Sequence, residues 1–353
     1  MSTQSQPKER QSKGGSPRVA VNLVTWNAAP YLPECLASLR SQTFSDWRLN
    51  VIDNGSTDAT LALVKKLVPG AETVAHSANT GFAPAHNEAI RLTQGDYILM
   101  LNQDVILDKH FLKRAVSFLD NNPKVAALQP RLERYDFKAN RALGVIDTTG
   151  LVIFKNRRIV NRGQGQPVGE IKFREGGIFG ADGAAPIYRR AALEAVKLAK
   201  LDQPREFEYL DEDFFAYKED VDLAWRLRLA GFKAVYVPQV KGFHGRGSGD
   251  AASTDPLEII KERREIGQFS KTLSWRNQRL MQIKNEQWPN LLRHLPWLLT
   301  KELAAWLYVL VFEPATVGAM PGMIKYIPRA FRKRQLAKAT WRVKARHLRH
   351  WFL

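Results

Sequence analysis

Residues 19–58 read VAVNLVTWNAAPYLPECLASLRSQTFSDWRLNVIDNGSTD. Two short apolar runs rich in β-branched residues, 19–26 and 48–53, flank a segment in which Leu32, Cys35 and Leu39 recur at helical spacing. The pattern predicts strand, helix, strand, with Pro30 near the helix start. The second run ends on Asn54-Gly55-Ser56-Thr57-Asp58, turn chemistry followed by a helix N-cap. Cys35 is expected in the core as a small buried hydrophobe.

The alternation continues outward. Residues 59–68 predict a helix, 72–76 a weak third strand, and Asn79-Thr80-Gly81-Phe82 a turn before a helix over 83–93. DYILML at 96–101 is a strand ending on Asn102-Gln103-Asp104; a helix over 109–121 and a strand over 125–129 complete the series. Strands alternating with helices predict an α/β domain built on a mostly parallel sheet with helices on both faces. Ligands of such sheets sit beyond the carboxyl ends of the strands. Three polar clusters fall there: Thr25 and Asn27, residues 53–56, and residues 102–104. No GxGxxG or GxxxxGK[ST] occurs at these turns, which argues against dinucleotide and P-loop sites.

Beyond residue 130 the pattern weakens, and glycines at 150, 163, 165 and 169 predict hairpins or a flap. Residues 176–183, GGIFGADG, are either a glycine-rich turn or a place where substrate approaches the backbone closely, around Asp182 and Gly183. A strand is expected over 184–188 and a helix over 189–198. Residues 214–244, FFAYKEDVDLAWRLRLAGFKAVYVPQVKGFH, then set Glu219 and Asp220 at the start of an amphipathic helix, with Asp222 a third acid. A turn at Gly231 and an apolar strand lead to His244 in a glycine-rich loop. Helix, turn, strand and histidine bring an acid and an imidazole to one rim.

Each of these groups has a plainer reading. Asp104 would serve as a helix cap, Glu219 and Asp220 as partners of the helix dipole, and His244 as a satisfied loop histidine. Read as chemistry, Asp104 would hold Mg²⁺ or Mn²⁺ against a diphosphate, with His244 adding a nitrogen ligand that suits Mn²⁺ better. Asp220 would act as general base towards a hydroxyl.

The 353 residues carry 53 Lys and Arg against 35 Asp and Glu, a net charge of +18 that calls for an anionic partner or surface. After Glu313 no acidic residue follows, while ten Lys and Arg do. A helix is expected over 257–283. Residues 291–312 are strongly apolar but interrupted by Arg293, Pro296, Lys301 and Glu302, so an interfacial helix is favoured over one spanning a bilayer. Trp297, Trp306, Tyr308, Trp341 and Trp351 suit the headgroup level, and the basic run after Lys325 suits anionic lipid. The alternatives are a helical hairpin closing the core and a nucleic-acid-binding tail. No recognition-helix, RNA-reading or zinc-finger signature supports the last, so no nucleic-acid partner is expected. Residues 1–17 lack an apolar signal region and are expected to be a disordered lead-in. One cysteine excludes a disulfide framework and points to a reducing compartment.

VNLVTWNAAPYLPECLASLRSQTF, VIDNGSTDAT, NTGFAPAHNEAI, GDYILMLNQD and FFAYKEDVDLAWRLRLAGF together resemble the family 2 glycosyltransferases, most of all rhamnosyltransferase-type enzymes of bacterial cell-surface polysaccharides. The resemblance implies a GT-A fold: a Rossmann-like nucleotide-binding half over about 18–130, an acceptor half over about 131–250, and here a basic, membrane-associating helical region over 251–353. It implies inverting transfer of a sugar from a nucleoside diphosphate sugar to a hydroxyl of a lipid-linked or growing glycan, with a divalent metal (Mn²⁺ or Mg²⁺), at the cytoplasmic face of the plasma membrane. A non-catalytic nucleotide-sugar or glycan-binding subunit of the same fold is the alternative.

Carried over by position, Thr25, Asn27, Asp53, Asn54, Asn79, Gly81, Phe82 and Asn87 would line the nucleotide pocket with Asn102 and Gln103. Asp104 matches the metal aspartate, and His244 the histidine of the metal or diphosphate site. Asp220 matches the base, and Glu219 would orient it or bind acceptor. Asp182, Gly183, Trp225 and Arg226 would lie on the acceptor side. The motif reads NQD rather than DxD, so Asp104 is its one carboxylate.

Overall fold

The structure is a computed structural model that describes residues 15–246 and 256–353. Most of the expected lead-in, and the glycine-rich stretch 247–255 after His244, lie outside the described residues. The chain runs β1 Val19–Thr25, α1 Leu32–Arg40, β2 Trp47–Asp53, α2 Thr60–Leu67, β3 Glu72–Ala75, α3 Phe82–Leu92, β4 Tyr97–Asn102, β5 Val105–Leu107 and α4 Phe111–Asn121. There follow β6 Val125–Asp136, β7 Arg141–Thr148, β8 Leu151–Ile153, β9 Ile159–Asn161, β10 Gly176–Ile178, β11 Ile187–Arg189, α5 Arg190–Val196, β12 Leu198–Ala199, β13 Phe207–Glu208, α6 Glu219–Leu229 and β14 Lys233–His244. The C-terminal helices are α7 Pro256–Glu265, α8 Gln268–Asn285, α9 Trp288–Arg293, α10 Leu295–Phe312, α11 Pro314–Gly318, α12 Met320–Ile324, α13 Tyr326–Lys338 and α14 Ala345–Leu348.

The main sheet has the order β10-β14-β6-β11-β4-β1-β2-β3. β3, β2, β1 and β4 are parallel; β11 runs against both β4 and β6, and β14 is parallel to β6. Six of the eight strands on this path therefore point the same way, so their carboxyl ends share one edge. The apolar runs that predicted strands are buried on both faces, as parallel strands under two helix layers require. Cys35 is fully buried in α1 against this core.

Two expectations need correction. The segment over 257–283 is two helices, broken where Gly267 caps α8. The helix after Glu219 and Asp220 is not amphipathic: every residue of α6 from Val221 to Leu229 is buried. It lies directly on the backbone of Gly180, where an added Cβ would come within 2.2 Å of the Ala224 methyl. Its outer side is covered by the C-terminal region, since Trp225 and Leu229 share a core with Leu280, Met281, Ala330, Leu348 and Phe352.

Candidate active site

Three parallel strands end side by side, with Thr25 in register with Asp53 and Val24 with Asn102. Asp53 is 0% exposed, and its carboxylate accepts from Thr25 Oγ1 (2.9 Å), Ser56 Oγ (2.5 Å) and the Ser56 N–H (3.0 Å). A buried carboxylate needs such donors. Thr25 and Asp53 thus face each other rather than an open pocket, and what they define is the shape of the loop after β2. Asn27, at φ 48°, accepts the Thr57 N–H on its side chain at 2.9 Å. Asn54 ties the next loop: Nδ2 donates to Asn79 Oδ1 and to the Gly81 carbonyl, both at 3.0 Å, and Oδ1 accepts the Thr80 N–H. Phe82 is half-buried beside the His86 ring.

Asn87 is a correction. It is fully buried beneath this loop and bonded to the backbone of Tyr209 and Leu210 and to Glu212, so it anchors another segment and is closed to a nucleotide. Gln103 clamps both backbone polar groups of Trp26 (2.7 and 3.2 Å), leaving the Trp26 ring 52% exposed at the rim. Asn102 Oδ1 is buried and has no hydrogen-bond partner.

β14 ends on the same edge. His244 lies opposite Val105, next to Asp104, because β5 pairs with β14. Its Nε2 is 3.3 Å from Asp104 Oδ1, and its Nδ1 is 2.8 Å from Asp147 Oδ2. Burial alone would lower the imidazole pKa; Asp104 and Asp147 outweigh it and raise it to about 10. Asp147 is held down at about 2: burial is opposed by the hydrogen bond and charge of His244, then by Arg246, which it meets at 2.8 Å. Asp104 also lies below its usual value, burial being outweighed by His244.

With the His244 Nε2 proton displaced, this donor set fits a divalent cation. An imidazole nitrogen and a carboxylate oxygen meet, the other ring nitrogen is fixed by a second carboxylate, and Asn102 offers an orphaned oxygen nearby in the chain. Among the described residues no three His, Cys, Asp or Glu side chains come together as a complete metal-binding group, so these residues would need further oxygen ligands to hold a cation.

Asp220 reaches the same region from α6. Its Oδ2 accepts the Gly183 N–H at 3.1 Å. The neighbouring Asp182 accepts the Ala184 N–H, and its own N–H is held by Gln129 at 2.7 Å. Burial, then the charge of Asp182, raises Asp220 to about 6. Glu219 is raised well above its usual range by burial and by Asp220, and its Oε2 is buried without a partner. Asp182 is raised by burial and by Asp147, with Arg246 and His244 opposing. The carboxylates on the α6 side and the Asp147–His244–Arg246 group are therefore close enough to shift one another's protonation.

The elbow before α6 is strained. Phe215, Tyr217 and Lys218 have φ of 64°, 70° and 75°. Such conformations cost about 1–2 kcal/mol per non-glycine residue and persist only where neighbours impose them. Here Ala83 N–H donates to the Phe215 carbonyl, and Gly81, at φ 105°, leaves room for a ring that an added Cβ would meet at 2.7 Å. From α8, the buried Asn277 amide donates to the carbonyls of Phe214, Ala216 and Tyr217 at 2.8–2.9 Å. Arg276 donates to those of Asp213 and Phe214. Just upstream, Lys284 and Lys333 both bind buried Asp211, and Lys333 also meets Glu208 and Asp213.

Further corrections follow. Trp225, 1% exposed, packs on Phe179 and Phe352, and Arg226, equally buried, is spent on Asp222 and on the carbonyls of Val196 and Tyr209. Neither is open to an acceptor. Asp222 is tied to Lys284, Asn285 and Arg226, so it belongs to the core rather than the rim. In the basic tail, Arg329, Lys333 and Arg334 turn inward onto protein partners. Sequence reasoning passed over Asp147, Arg246, Gln129 and Asn277. The first three lie in weakly patterned stretches or next to a proline, and an asparagine inside a charged helix carries no signal of its own.

The glycosyl transferase family 2 model matches residues 21–196. The chain is 28% identical over 120 residues to an uncharacterised glycosyltransferase of Haemophilus influenzae, covering 33% of this chain and 37% of that protein. It is 32% identical over 108 residues to the PGL/p-HBAD biosynthesis glycosyltransferase of Mycobacterium tuberculosis, covering 30% and 42%. The match thus spans about two-fifths of these curated relatives. Among solved structures it resembles the mannosyltransferase PcManGT of Pyrobaculum calidifontis, in complex with GDP-Man and Mn²⁺, with a TM-score of 0.50 and 18% identity over 95% of this chain and 88% of that one. The sequence motifs, the mostly parallel sheet and the helical C-terminal region agree with a GT-A fold, and the chain belongs to glycosyl transferase family 2.

Proposed function

We propose that this chain transfers a sugar from a nucleoside diphosphate sugar to a hydroxyl of a lipid-linked or growing cell-surface glycan, with inversion. The observation that carries this reading is Asp220: a half-buried carboxylate with its pKa near 6, on the same sheet edge as the Asp104–His244 pair. A base of that strength is ionised at neutral pH and accepts a proton more readily than an ordinary aspartate. The acceptor O–H gives its proton to Asp220 as the oxygen bonds to the anomeric carbon. The bond from that carbon to the diphosphate breaks, and the electron pair leaves on the nucleoside diphosphate. A single displacement inverts the anomeric centre.

Asn27, Asn79 and the loops around Asp53 and Asn54 would receive the nucleoside, with the Trp26 ring at the rim. Asp104 and His244 would hold a divalent metal, Mn²⁺ rather than Mg²⁺ given the nitrogen ligand; when bound it supplies positive charge to the departing diphosphate. The Pyrobaculum calidifontis mannosyltransferase, of the same fold and holding GDP-Man with Mn²⁺, supports this. Rhamnose is the sugar favoured by the sequence resemblance.

The reading includes attachment to a membrane at its cytoplasmic face. α10 is long and apolar enough to cross a bilayer by length and composition, and only 11% of it is buried. Its Lys301–Glu302 side is joined to α8, where Arg279 meets Glu302 and Trp275 meets Trp306. Leu299, Leu303, Leu307 and Leu310 recur at three- and four-residue spacing and are exposed. A helix fastened along one side with an apolar stripe on the other suits lying in the interface. Exposed Lys325, Arg332, Lys338, Arg342, Lys344 and Arg346 suit anionic headgroups.

Purified protein, screened against nucleoside diphosphate sugars with and without Mn²⁺, should melt higher with one donor and release its nucleoside diphosphate when acceptor is added. If no donor shifts the melting point and none is consumed, the reading fails.

A further inference from the structure

The elbow that delivers Asp220 holds aromatic side chains outward at a cost in backbone energy. Phe215 is the centre of a three-residue γ-turn: φ is 64°, ψ is −64°, and the Ala216 N–H donates to the Phe214 carbonyl at 2.7 Å. The positive-φ form of this turn is rare and strained. Two residues on, Tyr217 lies at φ 70°. Glycine would take such positions at least cost, yet both carry large rings. These rings do not enter the core. Tyr217 is 42% exposed, and Phe269, in the first turn of α8, is 62% exposed. Phe215 is half-buried against Gly81 and meets the Phe269 ring edge-on, at 5.7 Å and 89°. Tyr217 Oη is 2.8 Å from Ser270 Oγ, which pins that ring at its far end. Asn277 and Arg276 hold the elbow carbonyls, so α8 both supplies Phe269 and fixes the two elbow rings. An exposed apolar side chain standing singly calls for no account, but three rings gathered from two elements do. Strain of this kind points to a function for what it displays.

We infer that Phe215, Tyr217 and Phe269 form the platform on which the acceptor's sugar ring lies, one apolar C–H face against the aromatic rings and its hydroxyl edge turned towards Asp220. Aromatic faces with a few placed polar groups are what such a ring needs, since it is apolar above and below and polar around its edge. Asp220 follows Tyr217 by three residues, a span of at most about 10 Å, so a ring seated on the platform has the base within reach. The accepting sugar is therefore a pyranose with one face clear of axial hydroxyls, and Tyr217 and Phe269 select for it in place of the buried Trp225. This rests on the reading of Asp220 as the base, but its test needs no turnover.

Saturation-transfer NMR on the full chain, irradiating the aromatic protons, reads which sugar protons lie against a ring. The probes are the methyl glycosides of D-glucose, D-galactose, D-mannose, N-acetyl-D-glucosamine and L-rhamnose. At least one should receive saturation concentrated on the C–H protons of a single face. Its dissociation constant should rise about three- to tenfold in Tyr217→Gly and in Phe269→Ala, the worth of one aromatic contact. Tyr217→Phe, which keeps the ring, should bind nearly as the wild type does. Glycine suits φ 70°, so Tyr217→Gly removes the ring without adding strain, and Phe269→Ala, on an exposed helix position, keeps the test decisive should the first variant unfold. Saturation of no glycoside by the wild type, saturation spread evenly over both faces, or wild-type affinity in the folded ringless variants overturns the proposal. Ringless variants that keep the glycoside but lose phosphatidylglycerol vesicles would assign the rings to the membrane surface and overturn it too. Stabilisation by the nucleoside diphosphate sugar should be the same in all four proteins, which separates failure of the platform from failure of the donor site. If no donor reacts at all, the transferase reading fails and this binding result stands.

Discussion

Replacing Asp220 with asparagine should make the protein more stable at neutral pH. Burial and the Asp182 carboxylate raise the folded-state pKa of Asp220 from 3.8 to about 6. The folded state therefore penalises the ionised form. At about 1.4 kcal/mol per pKa unit, this sets an upper bound of about 3 kcal/mol. The amide keeps an oxygen for the Gly183 N–H, and Glu219 ionises more easily once its neighbour is neutral, so a gain of about 1–3 kcal/mol is expected. The sign fixes the pH window. Below about pH 3.8 the aspartate is protonated in both states and carries no penalty. The penalty grows between pH 3.8 and 6 and is complete above. Thermal melts of wild type and Asp220→Asn from pH 4 to pH 8 read this directly. The variant should melt higher by a few degrees at pH 7.5, and the gap should close towards pH 4. Equal melting points at pH 7.5, or a gap that does not vary with pH, would refute the reasoning that this carboxylate is held ionised against its surroundings.

Asp147→Asn leaves His244 without the charge that fixes its Nδ1 proton; the Mn²⁺ midpoint, followed by electron paramagnetic resonance with a nucleoside diphosphate present, should weaken about 10–100-fold. Asn277→Ala frees three carbonyls of the strained elbow; kcat should drop about tenfold or more while the donor KM changes little, and Asn277→Asp, which offers no donor to those carbonyls, should not rescue it. His86 is buried with both ring nitrogens unpartnered, and burial lowers its pKa to about 3. Stability should therefore fall as pH drops from 6.5 towards 3, by about 2 kcal/mol at pH 5, and a His86→Leu variant should lose that slope in pH-dependent denaturant melts.

The Rossmann-like half was legible because its strands are continuous β-branched runs and its turns carry Asn, Gly, Ser and Asp. Those signals are local, and from β1 to α4 the structure follows them within a residue or two, except for the three-residue β5, which was not foreseen. Asp104, Asp220 and His244 stood out as acids and a histidine at element ends. α6 misled the reading because charges at 219, 220, 222, 226 and 228 suggest a wet face, whereas Asp222, Arg226 and Arg228 are satisfied by partners up to 63 residues away. The basic tail misled in the same way: Lys333 is held by Asp211 and Glu208, more than 120 residues earlier. Long-range pairing of this kind leaves no period in the sequence. Asp147 was hidden in a hairpin whose chemistry depends on what β14 brings alongside.

The most direct test sets wild type beside Asp220→Asn with Mn²⁺, an acceptor glycan and whichever donor raises the wild-type melting point, and measures nucleoside diphosphate release. The account requires the same donor midpoint in both proteins, with release in the wild type alone. Release at the wild-type rate from Asp220→Asn would contradict it.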